Sequence, residues 1–275
     1  MGKHWSSGEE VLLRTHYRNI RMKELCSFFP SRTYYSVKSK LHDLKLSTPC
    51  ERNIDLSKDF GKVLDGSLLG DGGIYIGKDA RNGNGHYEQG SKHKNYILDL
   101  ITIFQNAGIW FGEKCPYKIY QKRDATISYT MVSSSYDYFK EQRARWYPNG
   151  IKNIPVDLIL TPLTVKYWYY GDGGLNYNNQ RTVCAKFHTQ SFSLPNVEFL
   201  CGCFERDVGI IPSIDYDKGN PTIRIPKLSL PALLEYIGPC DLPCYLYKWV
   251  VDNREEYNYY KNNCPCTKDL LWQVK

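Results

Sequence analysis

The sequence predicts an α+β protein made of two pseudo-symmetric units, each ordered α-β-β-α-β-β-α with antiparallel strands, behind a small three-helix segment. Three observations predict it. First, an apolar run ends in Gly-Asp-Gly-Gly twice, in LDGSLLGDGG (64–73) and in VKYWYYGDGG (165–174), which sets Asp71 and Asp172 101 residues apart. A repeat at fixed spacing marks a duplicated unit. Second, the stretches after each repeat alternate polar and apolar residues, the pattern of strands with one covered face. Third, residues 1–50 hold nine Lys/Arg against four acids, so they carry +5 of a net +7. A small basic head on a nearly neutral body suits a polyanion-binding module joined to something else.

The head reads as three helices. Ser6 and Glu9 form a capping-box pattern before Val11, Leu12 and Leu13, with Trp5 just outside. A second helix fits 22–29, and Thr33 caps a third that ends near Leu46. On the third, Val37, Leu41 and Leu44 recur at i, i+4, i+7 and face a core, while the positive residues fall elsewhere. Three helices with a basic last one match the helix-turn-helix plan, and the Trp-Ser-x-x-Glu-Glu opening resembles Myb/SANT-like domains. Arg32, Lys38 and Lys40 are the expected DNA contacts. The expected divisions are 1–46 for the head, 47–53 for a linker, 54–155 for the first unit and 156–275 for the second.

In the first unit a helix ends at Gly-Asp-Gly-Gly, strands fit GIYIGK and GHYEQGS, and a helix over 92–108 stops at Gly108. Strands fit CPYKIYQKR and ATISYTMVSS, and a helix over 136–146 closes the unit. In the second, the helix of VKYWYYGDGG leads and RTVCAKFHTQSF is a strand. A helix over 194–209 stops at Gly209, SIDYDKGNPTIRIPK is a strand pair, and LSLPALLEYIG is helical. Alternation places Tyr117, Ile119, Ile127, Tyr129 and Met131 inward and Lys118, Tyr120 and Lys122 outward. In the second unit it places Lys186, His188, Gln190 and Arg224 outward. These outward sets are rich in groups that donate to phosphates and base edges and poor in acids, so they are the expected DNA-facing residues.

Composition sets the remaining bounds. With 42% hydrophobic and 24% charged residues the chain is globular, and no run is apolar enough to span a membrane. No signal or transit pattern is readable, so an intracellular setting is expected, a bacterial or phage cytoplasm or an organelle matrix. Ten cysteines are then expected as thiols. Cys240, Cys244, Cys264 and Cys266 are irregularly spaced for structural zinc, and incidental thiols are the simpler reading.

The aspartates carry the chemistry. Gly66 and Gly70 leave one helix face bare, so two such helices can pack closely and deliver Asp71 and Asp172 to one end. Converging carboxylates repel unless a proton or cation neutralises them. Oxygen ligands with open positions suit Mg²⁺, with Mn²⁺ or Ca²⁺ able to take the same place, and point to metal-assisted phosphodiester hydrolysis.

Residues 64–72 and 165–173 resemble the paired motifs of the LAGLIDADG homing endonucleases. The lead-in LTPL and the stretches HTQSFSLPNVEFL and YLYKW extend the similarity to the yeast-type single-chain members, over about residues 54–250. The resemblance implies two αββαββα halves, motif helices at their interface, and saddle-like sheets astride double-stranded DNA. It implies metal-binding acids at Asp71 and Asp172, with Gly70 and Gly171 in the same metal site, and cleavage across the minor groove with 3′ overhangs. It implies a basic residue per active site, Lys152 in GIKNIP and Lys248 in YLYKW, and a monomer. Tyr167 stands where a packing glycine is usual, and Gly171 precedes the acid where the yeast type has a second Asp. An intron RNA maturase and a non-cutting transcription regulator are the alternative readings; loss of the acids would mark the regulator, and both acids are present.

Overall fold

The structure is a computed structural model that describes residues 4–17, 22–46, 54–56, 59–77, 84–121, 126–178 and 182–263. Helices α1 (Ser7–His16), α2 (Met22–Ser27) and α3 (Tyr34–Asp43) form the head. Its capping box is made: Glu9 N–H donates to Ser6 Oγ at 3.3 Å and Ser6 N–H to Glu9 Oε2 at 2.8 Å. Leu13, Leu25, Phe29, Val37 and Leu41 form a small core of their own, with Trp5 packed edge-on to Phe29.

Arg32 does not sit where a DNA contact would. Its guanidinium donates to both Glu9 carboxylate oxygens at 2.9 Å and to the His4 carbonyl at 2.6 Å, and lies 4.4 Å above the Trp5 ring. Its side chain is 4% exposed, so it ties α1 to the turn before α3. Lys40 is likewise drawn to Glu10, at 2.6 Å. Lys38 is exposed.

The body carries the two units in the expected order. The first is α4 (Phe60–Leu69), β1 (Gly73–Ile76), β2 (Gly85–Ser91), α5 (Lys94–Asn106), β3 (Tyr117–Gln121), β4 (Thr126–Val132) and α6 (Asp137–Trp146). The second is α7 (Pro162–Asp172), β5 (Gly173–Asn178), β6 (Thr182–Phe187), α8 (Leu194–Cys203), β7 (Ser213–Asp217), β8 (Asn220–Ile225) and α9 (Leu230–Ile237). Their antiparallel sheets have matching strand orders, β1-β2-β4-β3 and β5-β6-β8-β7. Gly209, at φ 73°, ends a π-wound extension of α8, and Gly108 takes φ 90° just past α5. A 3₁₀ run at Pro243–Trp249 and α10 (Arg254–Asn262) follow the second unit.

One hydrophobic core runs through both units, from Phe60 to Tyr257. At its centre α4 lies against α7. A Cβ added at Gly66 would stand 2.3 Å from the Thr164 carbonyl oxygen and 3.1 Å from Tyr167 Cβ, closer than packed atoms tolerate. Glycine is therefore what lets the two backbones meet there. Tyr167 is accommodated by turning away, its hydroxyl donating to Asp99 of α5 at 2.6 Å. The neighbouring Trp168 packs 4.4 Å from Phe187, inside the second unit.

The faces of β3 are the reverse of those read from the sequence. Lys118 pairs opposite Tyr129 and Tyr120 opposite Ile127, on the face that carries buried Met131; Tyr117 and Ile119 pair opposite Thr130 and Ser128 on the other face. Directly opposed residues in an antiparallel pair share a face. The cause is position: β3 is an edge strand, and Tyr117 (40%), Ile119 (44%) and Tyr120 (60%) are all exposed, so alternation there does not report a core. Lys118 and Tyr120 thus leave the expected DNA-facing set, and Lys122 lies outside the described residues.

Gly66→Ala should destabilise the protein by about 1–3 kcal/mol, because backbone must move to admit one methyl. Gly61→Ala in the same helix meets nothing within 4 Å and should be neutral or stabilising, by up to about 1 kcal/mol. Equilibrium urea unfolding of both variants checks the pair.

Candidate active site

Helices α4 and α7 end side by side. A Cβ at Gly70 would lie 3.7 Å from Asp172 Cγ, and one at Gly171 would lie 3.9 Å from the Asp71 nitrogen. Asp71 and Asp172 therefore leave the crossing together, the first exposed and the second half-buried. The Asp172 carbonyl is fixed by the His188 N–H at 2.9 Å. Burial pushes the Asp172 carboxyl up to about 7, the Asp71 charge adds to the rise, and Lys152 and Lys248 oppose it.

Each expected lysine reaches the end of one motif helix. Lys152 Nζ donates to the Gly70 and Gly72 carbonyls at 2.9 and 3.0 Å, at the end of α4. Lys248 Nζ donates to the Tyr169 and Tyr170 carbonyls at 2.9 and 2.7 Å, in the last turn of α7. The Tyr169 hydroxyl returns a bond to the Lys248 carbonyl at 3.0 Å. Unpaired carbonyls and the negative end of the dipole make a helix C-terminus attractive to a cation. Burial lowers Lys152 to about 8 and Lys248 to about 7, with Asp172 and Asp71 pulling the other way. Two acids and two bases thus share one electrostatic neighbourhood.

The set fits a hard divalent cation that is only partly held by protein. Among the described residues no group of three or more His, Cys, Asp or Glu converges. Two carboxylates with room for water and phosphate oxygens suit Mg²⁺, whereas a closed structural site for zinc would need four ligands. Gly70 has one carbonyl lone pair engaged by Lys152 and one left, and Gly171 faces it across the crossing. Cys240 donates to the Leu242 carbonyl at 3.1 Å and Cys244 is fully buried, while Cys264 and Cys266 lie outside the described residues.

A groove of about 790 Å³ leaves this point. It runs from Asp71 and Lys248 past His93 to Ser128 and Ile119 of the first sheet. In the second sheet Lys186 pairs opposite Arg224, on the expected face. That face is not poor in acids, however: Asp215 holds Lys186 at 2.5 Å, and Asp217 accepts from Gln190 at 3.1 Å. Gln190 also meets His188 at 3.2 Å. Reading strands one at a time missed these acids because they sit on β7, opposite the basic strands. The sequence also gave no hint of Lys92, His93 and Tyr245 in the groove; only the alignment of Ser91 with Ser191 before matching helices could have pointed there.

Residues 61–233 match the model of the LAGLIDADG DNA endonuclease family. An uncharacterised protein of Methanocaldococcus jannaschii is 32% identical over 148 residues, 53% of this chain and 55% of its own length. The chain thus spans little more than half of that relative. The cytochrome b mRNA maturase bI2 of Debaryomyces hansenii is 26% identical over 74% of this chain and 79% of its own length. The DNA endonuclease I-ChuI of Chlamydomonas applanata is 24% identical over 71% of this chain and 96% of its own. Among solved structures, the homing endonuclease I-WcaI bound to its DNA recognition sequence superposes with a TM-score of 0.61 at 22% identity, covering 85% of this chain and 100% of that one, which establishes the shared fold.

The raised Asp172 carboxyl has a consequence for stability. A group whose folded pKa exceeds its unfolded one opposes folding once ionised, and the penalty grows between the two values. Asp172→Asn should therefore stabilise the metal-free protein by about 1–3 kcal/mol above pH 7, after solvent screening. The gain should shrink as pH falls from about 7 and vanish near pH 4, where the carboxyl is protonated folded or unfolded. Urea unfolding of both proteins across pH 4–8 checks the sign.

Proposed function

The chain belongs to the LAGLIDADG DNA endonuclease family, and from that membership we propose that it is a monomeric, site-specific homing endonuclease that cuts both strands of a long duplex target with a divalent cation. The observation that carries this reading is the arrival of Asp71 and Asp172 together at the end of the α4–α7 crossing. DNA lies along the groove, across the two sheets, and its strands pass the helix ends on either side. Asp71 and Asp172 hold the cation, with the Gly70 and Gly171 backbone beside them. Mg²⁺ is the resident ion, and Mn²⁺ or Ca²⁺ takes the same place. When bound, the cation supplies Lewis-acid polarisation of the scissile phosphate and offsets the carboxylate repulsion.

The protein's own groups do the rest. Lys152 and Lys248 hold the carbonyls on which the aspartates' backbone rests, which fixes where the acids point. Their ammonium groups also answer negative charge developing on the phosphate, an effect realised only in the transition state. Cleavage across the minor groove leaves short 3′ overhangs. The likeness to a cytochrome b mRNA maturase supports a second partner, intron RNA, compatible with the same chain.

The head is the second part of the proposal. Residues 1–46 form a DNA-binding module, joined through 47–53 to halves at 54–155 and 156–275. With Arg32 and Lys40 committed within the head, α3 offers Tyr35, Lys38, Ser39 and His42, which fall at i, i+3, i+4, i+7 and are all exposed.

Asp71→Asn and Asp172→Asn should each abolish double-strand cleavage in Mg²⁺ while leaving DNA binding largely intact, since binding rests on many phosphate and base contacts. Full cutting by either variant in a plasmid assay would remove the two-acid mechanism. Deleting residues 1–50 should leave a folded nuclease whose log affinity falls less steeply with log salt, by nearly one unit of slope per lost phosphate contact. Protection should shorten on one side of the cut only. An unchanged footprint and slope would show that the head serves another partner.

A further inference from the structure

The two halves present unequal surfaces to the groove at matching positions. Helix α5 begins at the N-cap His93 and α8 at the N-cap Ser193, and neither side chain caps its own helix. Each start lies beside the lysine contributed by the other unit. Lys248 shares the groove with Ser91, Lys92 and His93, while Lys152 shares a smaller polar cleft with Ser191, Ser193 and Asn196. A helix N-terminus beside an ammonium group favours an anion.

Among the described residues, the α5 start has a buried side-chain nitrogen without a hydrogen-bond partner and the α8 start has none. His93 is 5% exposed, and its Nδ1 is enclosed without a hydrogen-bond partner. Its ring stands edge-on to Tyr245 at 4.9 Å, and Lys248 Nζ lies 4.7 Å from the centre of that same tyrosine ring. Burial, then Lys92 and Lys248, lower the imidazole to about 4, so it is neutral and has a single N–H. With Nδ1 enclosed, the nitrogen available to the groove is Nε2, and a proton there makes it a donor. A phosphate oxygen only accepts. On the other side Ser193 is exposed, and the place of Lys92 is taken by Phe192, whose ring lies 5.9 Å from Lys152 Nζ.

We propose that His93, with Lys92, Lys248 and the N-terminus of α5, forms a backbone-phosphate subsite for one DNA strand beside the cut, a subsite that the α8 side lacks in full. It rests on the DNA endonuclease reading. Its role is to fix one strand against its lysine, so that the two strands are not held equally.

The test uses the full chain without any divalent cation, so that nothing is cut. The wild-type protein selects duplexes from a random pool, and ethylation interference then maps the phosphates that binding needs. His93→Leu fills the space without a donor, and His93→Gln places an amide N–H near the Nε2 position. The expected result is interference at a phosphate of one strand that disappears in His93→Leu, with affinity about tenfold lower, and that persists in His93→Gln. Unchanged interference in His93→Leu, or equal losses in both variants, would overturn the subsite and leave the nuclease reading standing. Failure of the wild-type chain to select any duplex would overturn both.

Discussion

The structure depends on how closely two helix backbones approach. At Gly66 there is no room for one methyl group against the Thr164 carbonyl. Small residues at a helix crossing allow this approach where side chains would hold the axes apart. From it follow the single core shared by both units, the adjacent ends of α4 and α7, and the nearness of Asp71 to Asp172. Tyr167 shows how the constraint is met from the other side: its Cβ touches the crossing and the rest of the side chain leaves it for Asp99.

The close approach has an electrostatic cost that the lysines moderate. Two carboxylates and two helix C-termini would concentrate negative charge at one point. Lys152 and Lys248 neutralise it from inside, each bonded to two carbonyls rather than to a carboxylate. The carboxylates are thereby left for something else to bind. Burial brings the lysines down to about 8 at Lys152 and about 7 at Lys248, so at neutral pH the first keeps most of its charge and the second about half. A site in which Asp172, Lys152 and Lys248 all sit away from their ordinary pKa is costly for folding and suited to chemistry on a polyanion.

Much of this was legible in the sequence, for physical reasons. The Gly-Asp-Gly-Gly repeat reported a duplicated backbone arrangement, and Ser6 with Glu9 reported a helix start, because both are local. Core-facing Val37 and Leu41, and Ala185 and Phe187, were readable because packing covers one side of their elements completely. What failed was non-local. Arg32 looked like a surface base because its partner Glu9 is distant in the chain. The β3 faces misled because Tyr117, Ile119 and Tyr120 are all exposed, so neither side of that strand is packed closely enough to mark a core. The helix α10 has one buried anchor, Tyr257, and so leaves no periodic stripe. The groove residues Lys92, His93 and Tyr245 come from two separate units and meet only once the halves are docked.

Asp71 and Asp172 act as one pair across the helix crossing, the charge of the first adding to the rise of the second. Titration of the Asp172 carboxyl carbon by NMR in the metal-free protein tests it directly. The expected midpoint lies near 7, moves down in Asp71→Asn, since one of the two causes of the rise is removed, and moves down in the wild type when Mg²⁺ is added. A midpoint in the ordinary carboxylate range, indifferent to both changes, would contradict it.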